Sequence, residues 1–120
     1  MAEIASIRFK GHSGKSYKFE TYSKDHDTFE DVSAVYVFVR RYKNAEKYYQ
    51  RALYVGETGE LKTRLANHEK WSDVEELGCT AISVMLVNGE KERKDIETDL
   101  IKAKKPPCNI QKNPNLHFLD

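Results

Sequence analysis

The sequence predicts a small α+β domain: a mainly antiparallel sheet of three core strands flanked by helices, with an extra β-hairpin at its N-terminus. Three observations carry this expectation. Apolar and aromatic residues run in blocks of strand length at 34–41, 51–57 and 80–87. Apolar spacing of helical period recurs at Leu61, Leu65 and His68 and again at Ile96, Leu100 and Ile101. The order of these segments (hairpin, strand, strand, helix, strand, helix) suits helices packed on an antiparallel sheet. A chain of 120 residues has the length of one domain with one modest core.

Each element has its own local reason. In "IRFKGHSGKSYKF", Ile7 and Phe9 alternate with polar residues before a Gly-His-Ser-Gly turn, and Tyr17 and Phe19 alternate after it. That pattern predicts a hairpin over 4–22. The acidic stretch 23–33 reads as a loop. "AVYVFVRR" and "RALYVGE" are β-branched and aromatic, and the polar connection between them favours an antiparallel pair. Thr58 stands where an N-cap belongs, and the helix it opens is expected to run to about Trp71. "TAISVMLV" is nearly all apolar and is expected to be the most buried strand. The last helix covers 89–105, with Ile96, Leu100, Ile101 and Ala103 inward, and Pro106 and Pro107 end it.

Composition bounds the function. Cys79 and Cys108 make neither a disulfide framework nor a CxxC pair, which points to a reduced, cytoplasmic setting. No apolar run reaches signal-peptide or bilayer length. The net charge of +1 argues against a polyanion-binding protein, but its distribution argues for one. Residues 40–51 hold five basic side chains, one acid and three tyrosines, and residues 102–112 hold four basic side chains and no acid. Acidic stretches at 20–31 and 69–76 balance them. Near-neutrality is thus two opposite faces summed, and the basic face would meet phosphate. Its candidate residues are Arg40, Arg41, Lys43 and Lys47, with Lys102, Lys104 and Lys105. Ordinary solvated surface is the plain alternative for such runs.

One conjunction is more specific. "AVY" at 34–36 and "YVG" at 54–56 are followed by Arg64, ten residues after Tyr54, and by His68 four residues later. Glu97 then lies in the last helix and Asn109 just after "KKPPC". Together these resemble the GIY-YIG nuclease family over a core of about 33–110, with the hairpin outside it. Two positions depart from the pattern: Ala34 replaces the first glycine, and the acidic Glu57 follows "YVG".

The resemblance implies a metal-dependent endonuclease that hydrolyses DNA. Such chemistry needs a deprotonated water, a cation against the charge growing at phosphorus, and help for the departing 3′ oxygen. By resemblance, Tyr36 is the group nearest the attacking water and acts as general base, with Tyr54 positioning it. A phenol of ordinary pKa about 10 needs nearby positive charge or a proton acceptor for that work, and Arg64 and His68 could supply these. Arg64 suits the phosphate oxygens. Glu97 is the expected ligand of one Mg²⁺ or Mn²⁺ ion, which keeps several waters and needs few protein oxygens. Asn109 would fix the geometry. No second domain for choosing a target is expected within these residues, so specificity falls to the DNA structure or to a partner protein. Taken singly, each residue has an ordinary explanation; Glu97, for example, stands four residues after Arg93, the spacing of a surface ion pair worth about 0.3–0.5 kcal/mol. The alternative function is a non-catalytic nucleic-acid-binding or assembly module that keeps the fold.

Overall fold

A computed structural model describes residues 3–26 and 29–110; Asp27 of the acidic stretch and Lys112 of the basic one lie outside the described residues. The expected hairpin forms from β1 (Glu3–Lys10) and β2 (Ser16–Ser23), with Ile7 opposite Phe19 and Phe9 opposite Tyr17. It is not an appendage. β2 pairs antiparallel with β5 (Ala81–Leu86), and β5 pairs with β3 (Ala34–Asn44), whose other neighbour is β4 (Lys47–Thr58). The described strands therefore form one curled, fully antiparallel sheet in the order β1-β2-β5-β3-β4, and the protein is an α+β fold.

β3 and β4 are longer than the sequence blocks, because the polar connection between them is itself paired down to Asn44 opposite Lys47. Ala45 closes that hairpin with a left-handed φ of 60°. A one-residue bulge interrupts the pair: Phe38 faces Tyr54 while Val39 faces Ala52, leaving Leu53 as the extra residue. The most buried strand is the first half of β3, where Ala34 to Val39 are all enclosed; β5 leaves Leu86 67% exposed at its end.

The helix expected over 58–71 is two short ones. α1 spans Leu61–Ala66 and α2 spans Trp71–Glu76. Thr58 does not cap α1; its hydroxyl accepts from the Glu60 N–H at 3.0 Å, and Glu60 precedes the first turn. The break has a cause: the Trp71 indole N–H donates to the Leu65 carbonyl at 2.7 Å, satisfying an end-of-helix acceptor that a continuous helix would use itself. α3 (Glu90–Lys104) matches expectation and stops at Lys105, whose φ of 46° turns the chain before Pro106. Ala103 is exposed rather than inward. A single turn, α4 (Pro107–Ile110), follows.

The two sheet faces bury different sets. Val35, Val37, Val39 and Val55 pack with Phe9, Phe19 and α3, through Ile96 and Leu100. Tyr36, Phe38 and Leu53 pack with Leu61 and Leu65 of α1 and Val74 of α2. The hairpin turn anchors α3. Asp99 accepts from the Ser13 N–H, the Ser13 hydroxyl and the Tyr17 hydroxyl at 2.8, 2.6 and 2.7 Å. Its carboxylate lies where a Cβ on Gly11 would stand, 2.1 Å from Oδ2. Both cysteines are buried and unpaired. No helix among the described residues is long and apolar enough to cross a membrane.

Candidate active site

Four predicted site residues meet on the α1–α2 side of the sheet. The Tyr36 hydroxyl lies 2.7 Å from His68 Nε2. The Tyr54 and His68 rings are 5.1 Å apart, centre to centre, and those of Tyr36 and Tyr54 are 6.3 Å apart. Strand register delivers the tyrosines: Tyr36 stands opposite Gly56 and Tyr54 opposite Phe38. Gly56 is required there. A Cβ on it would come within 2.5 Å of the Tyr36 Cζ and hydroxyl oxygen, so the glycine of "YVG" makes room for the phenol of "AVY".

His68 does not share a helix face with Arg64, as the four-residue spacing suggests, because α1 ends at Ala66. It sits in the turn between α1 and α2 and is only 5% exposed. Its Nδ1 accepts from the Lys70 backbone N–H at 3.0 Å. A backbone amide can only donate, so Nδ1 holds a lone pair and the neutral ring carries its proton on Nε2. His68 therefore donates to the Tyr36 oxygen. Burial, reinforced by the Arg64 charge, lowers its pKa to about 4, which keeps this neutral tautomer near pH 7. The ring is a hydrogen-bond donor that favours a Tyr36 phenolate, rather than the proton acceptor anticipated from sequence.

Burial pushes Tyr36 far above the ordinary phenol range; the neighbouring Tyr54 adds to the shift and Arg64 opposes it. Tyr54 is also raised, chiefly by burial, again against Arg64. One guanidinium thus acts on both hydroxyls. That same guanidinium is held in a bidentate pair with Glu69, at 2.7 and 2.9 Å. Glu69 keeps Arg64 firmly cationic, and the hydrogen bond to Arg64 lowers Glu69 to about 2. Glu69 reads in the sequence as one more residue of an acidic surface, and only the turn after α1 brings it onto Arg64.

No family model, curated protein or solved structure matches this chain.

Glu97 approaches from the other layer. Its helix buries Ile96 and Leu100 on the face opposite Tyr36, β4 is the edge strand on that side, and the Glu97 charge acts on both Tyr54 and Glu57. Glu97 is half-buried and makes no hydrogen bond or ion pair among the described residues. Burial and then Glu57 raise its pKa, with Lys94 opposing. Arg93, whose four-residue spacing is the ordinary alternative explanation of Glu97, instead donates from Nε to Glu57 at 2.9 Å, and from Nη1 to the carbonyls of Val87 and Asn88 at 3.1 and 2.6 Å. The acid after "YVG" is thereby compensated. An uncompensated carboxylate beside a second acid suits a hard divalent cation. Among the described residues no three His, Cys, Asp or Glu side chains converge on one point, so waters and substrate would complete such an ion's shell.

Asn109 touches none of these groups. Its side-chain carbonyl accepts from the Val55 N–H at 2.7 Å and its amide donates to the Val55 carbonyl at 2.9 Å. It completes the free edge of β4 between Tyr54 and Gly56 and is a positioning residue. The basic candidates fall into two groups. Arg40, Arg41, Lys43 and Lys47 lie on the outer half of the β3–β4 hairpin, and Lys102, Lys104 and Lys105 lie at the end of α3.

Proposed function

We propose that this protein is a metal-dependent DNA endonuclease of the GIY-YIG type. The observation that carries the reading is the 2.7 Å contact between Tyr36 and His68, made where Arg64 acts on both tyrosines and an uncompensated Glu97 reaches Tyr54. Arg64 takes the scissile phosphate in its planar fork, displacing Glu69, which occupies the place of two phosphate oxygens. That exchange replaces one bidentate oxygen pair on the guanidinium with another, so Arg64 keeps both of its hydrogen bonds. Tyr36 orients the attacking water. Once its own proton has passed to solvent, the phenolate is favoured by the His68 N–H and the Arg64 charge against the burial that opposes it. It takes the water's proton as the new P–O bond forms, the P–O3′ bond breaks and the 3′ oxygen is protonated from solvent. Tyr54 lines the same approach. Glu97 would hold the one Mg²⁺ or Mn²⁺ ion, which supplies Lewis-acid stabilisation of the charge at phosphorus. DNA structure or a partner chain selects the target.

The second reading, a non-catalytic module, is favoured by the strongly raised Tyr36 and the closed Arg64–Glu69 pair. A plasmid-nicking assay over a Mg²⁺ and Mn²⁺ titration separates the two. Glu97→Gln should abolish cleavage while DNA binding stays intact or strengthens, since a charge repelling phosphate is removed. Arg64→Ala should lose cleavage and part of the affinity. Wild-type protein without activity at any metal concentration would favour the module; cleavage undiminished in Glu97→Gln would move the metal elsewhere.

A further inference from the structure

We infer that the outer half of the β3–β4 hairpin is a stacking platform for unpaired bases, so that the DNA this site acts on carries a single-stranded stretch next to the cleaved bond. The inference rests on the nuclease reading and names its substrate class. β5 pairs with β3 only from Ala34 to Val39, whereas β3 and β4 continue together from Arg40 opposite Arg51 to Asn44 opposite Lys47. Beyond the third strand the hairpin is a two-stranded ribbon, a form with little stability of its own.

Its side chains leave aromatic surface open to solvent. Tyr42, Tyr48 and Tyr49 are 37%, 59% and 44% exposed. Tyr42 and Tyr49 face each other across the strands, stacked at 5.6 Å. A cation sits against the Tyr42 ring, with Arg40 5.0 Å from its centre, while Tyr48, on the opposite face of the ribbon, has Arg41 at 4.4 Å. Alternation along β3 places Tyr42 and Arg40 on the same face as Tyr36, six positions earlier in the strand and about 20 Å away at strand rise. A nucleic-acid strand lying in the site can span that distance to the platform.

Chemistry favours single strands over duplex. Phosphate answers the cations on the Tyr42 face, Arg40 and Arg51, which stand opposite each other in the ribbon. A duplex, however, keeps its base faces stacked inside and offers tyrosine rings nothing to stack on. Unpaired bases offer a π-face whatever their sequence. Gln50, whose amide would suit a base edge, is already committed to Thr21 and Ser83 at 3.3 and 3.1 Å.

The test is fluorescence anisotropy in EDTA, using a labelled 20-nucleotide oligothymidine and a duplex of equal length. Wild type should prefer the single strand. Tyr42→Ala/Tyr49→Ala should weaken single-strand binding by about 5-fold or more and leave duplex binding nearly unchanged, and Tyr42→Phe/Tyr49→Phe should restore wild-type binding, with melting curves checking that each variant folds. Equal losses on both ligands, or a wild type that binds duplex as tightly as single strand, would overturn the platform. Nicking in Mg²⁺ is read separately. A Glu97-dependent nicking activity without single-strand preference would remove only the platform, and single-strand binding that depends on the tyrosines without any nicking would remove only the nuclease.

Discussion

At the scale of single residues, His68 links the site to the stability of the fold. In the folded protein it is neutral, with a pKa of about 4 set first by burial, against an unfolded value near 6.5. The unfolded chain therefore binds the proton more readily. The stabilising contribution is complete above about pH 6.5 and is lost as pH falls towards 4, amounting at most to something on the order of 3 kcal/mol. Urea melts across that window should show the midpoint falling with acid in wild type and falling much less in His68→Gln, which has no ring to protonate. Equal acid sensitivity in both proteins would assign it to other groups. The sequence made Tyr36, Tyr54, Arg64 and His68 legible as a set, but it gave the wrong relation between the last two. Their spacing suggests a shared helix face, whereas the contact that matters runs from His68 to Tyr36, 32 positions away. Glu69 was not legible as part of the site, because an acid among acids carries no local sign that a guanidinium will meet it.

Elements place these residues through close fits that sequence patterns only partly display. The blocks of β-branched and aromatic residues reveal β3, β4 and β5, and the period of Ile96 and Leu100 reveals α3. The outer hairpin does not announce itself, since its strands are polar and are held by cross-strand ring and cation pairs rather than by a buried face. The two-helix arrangement of residues 61–76 is also hidden: Leu61, Leu65 and His68 all do turn inward, so their period survives a break made by Trp71. One fit, between β3 and β4, gives a direct test. Gly56 lies under the Tyr36 ring, and an added methyl would press on Tyr36 at 2.5 Å and Tyr54 at 2.9 Å. Gly56→Ala should cost about 1–3 kcal/mol by overpacking and should displace both tyrosines, abolishing any cleavage. Gly59→Ala is the control: its nearest neighbour would be 3.8 Å away, so urea melts should leave it close to wild type. Comparable destabilisation of the two variants would mean that crowding at Tyr36 is not what requires the glycine.

For the molecule as a whole, a net charge of +1 conceals the separation that matters. Acidic side chains concentrate in the loop before β3 and around α2, while the outer hairpin and the last turn of α3 are basic. The hairpin cations are not consumed by internal ion pairs: Arg40 and Arg41 lie over tyrosine rings, and no ion pair among the described residues involves Arg40, Arg41, Lys43 or Lys47. They are available to phosphate. Releasing counterions from duplex DNA gives a slope of log affinity against log salt of about −0.9 for each phosphate neutralised. If four of the seven candidate cations engage, the slope on duplex should lie near about −3.6, with micromolar or weaker affinity at physiological salt. With Gln50 turned inward, two unrelated duplexes should bind within about 2 kcal/mol of each other, roughly the cost of one mismatched pair to a true sequence reader. Filter binding across a salt series with both duplexes measures slope and difference together. A flat slope would take the basic hairpin out of DNA binding, and a larger gap between the duplexes would mean that the protein reads base edges as well as phosphates.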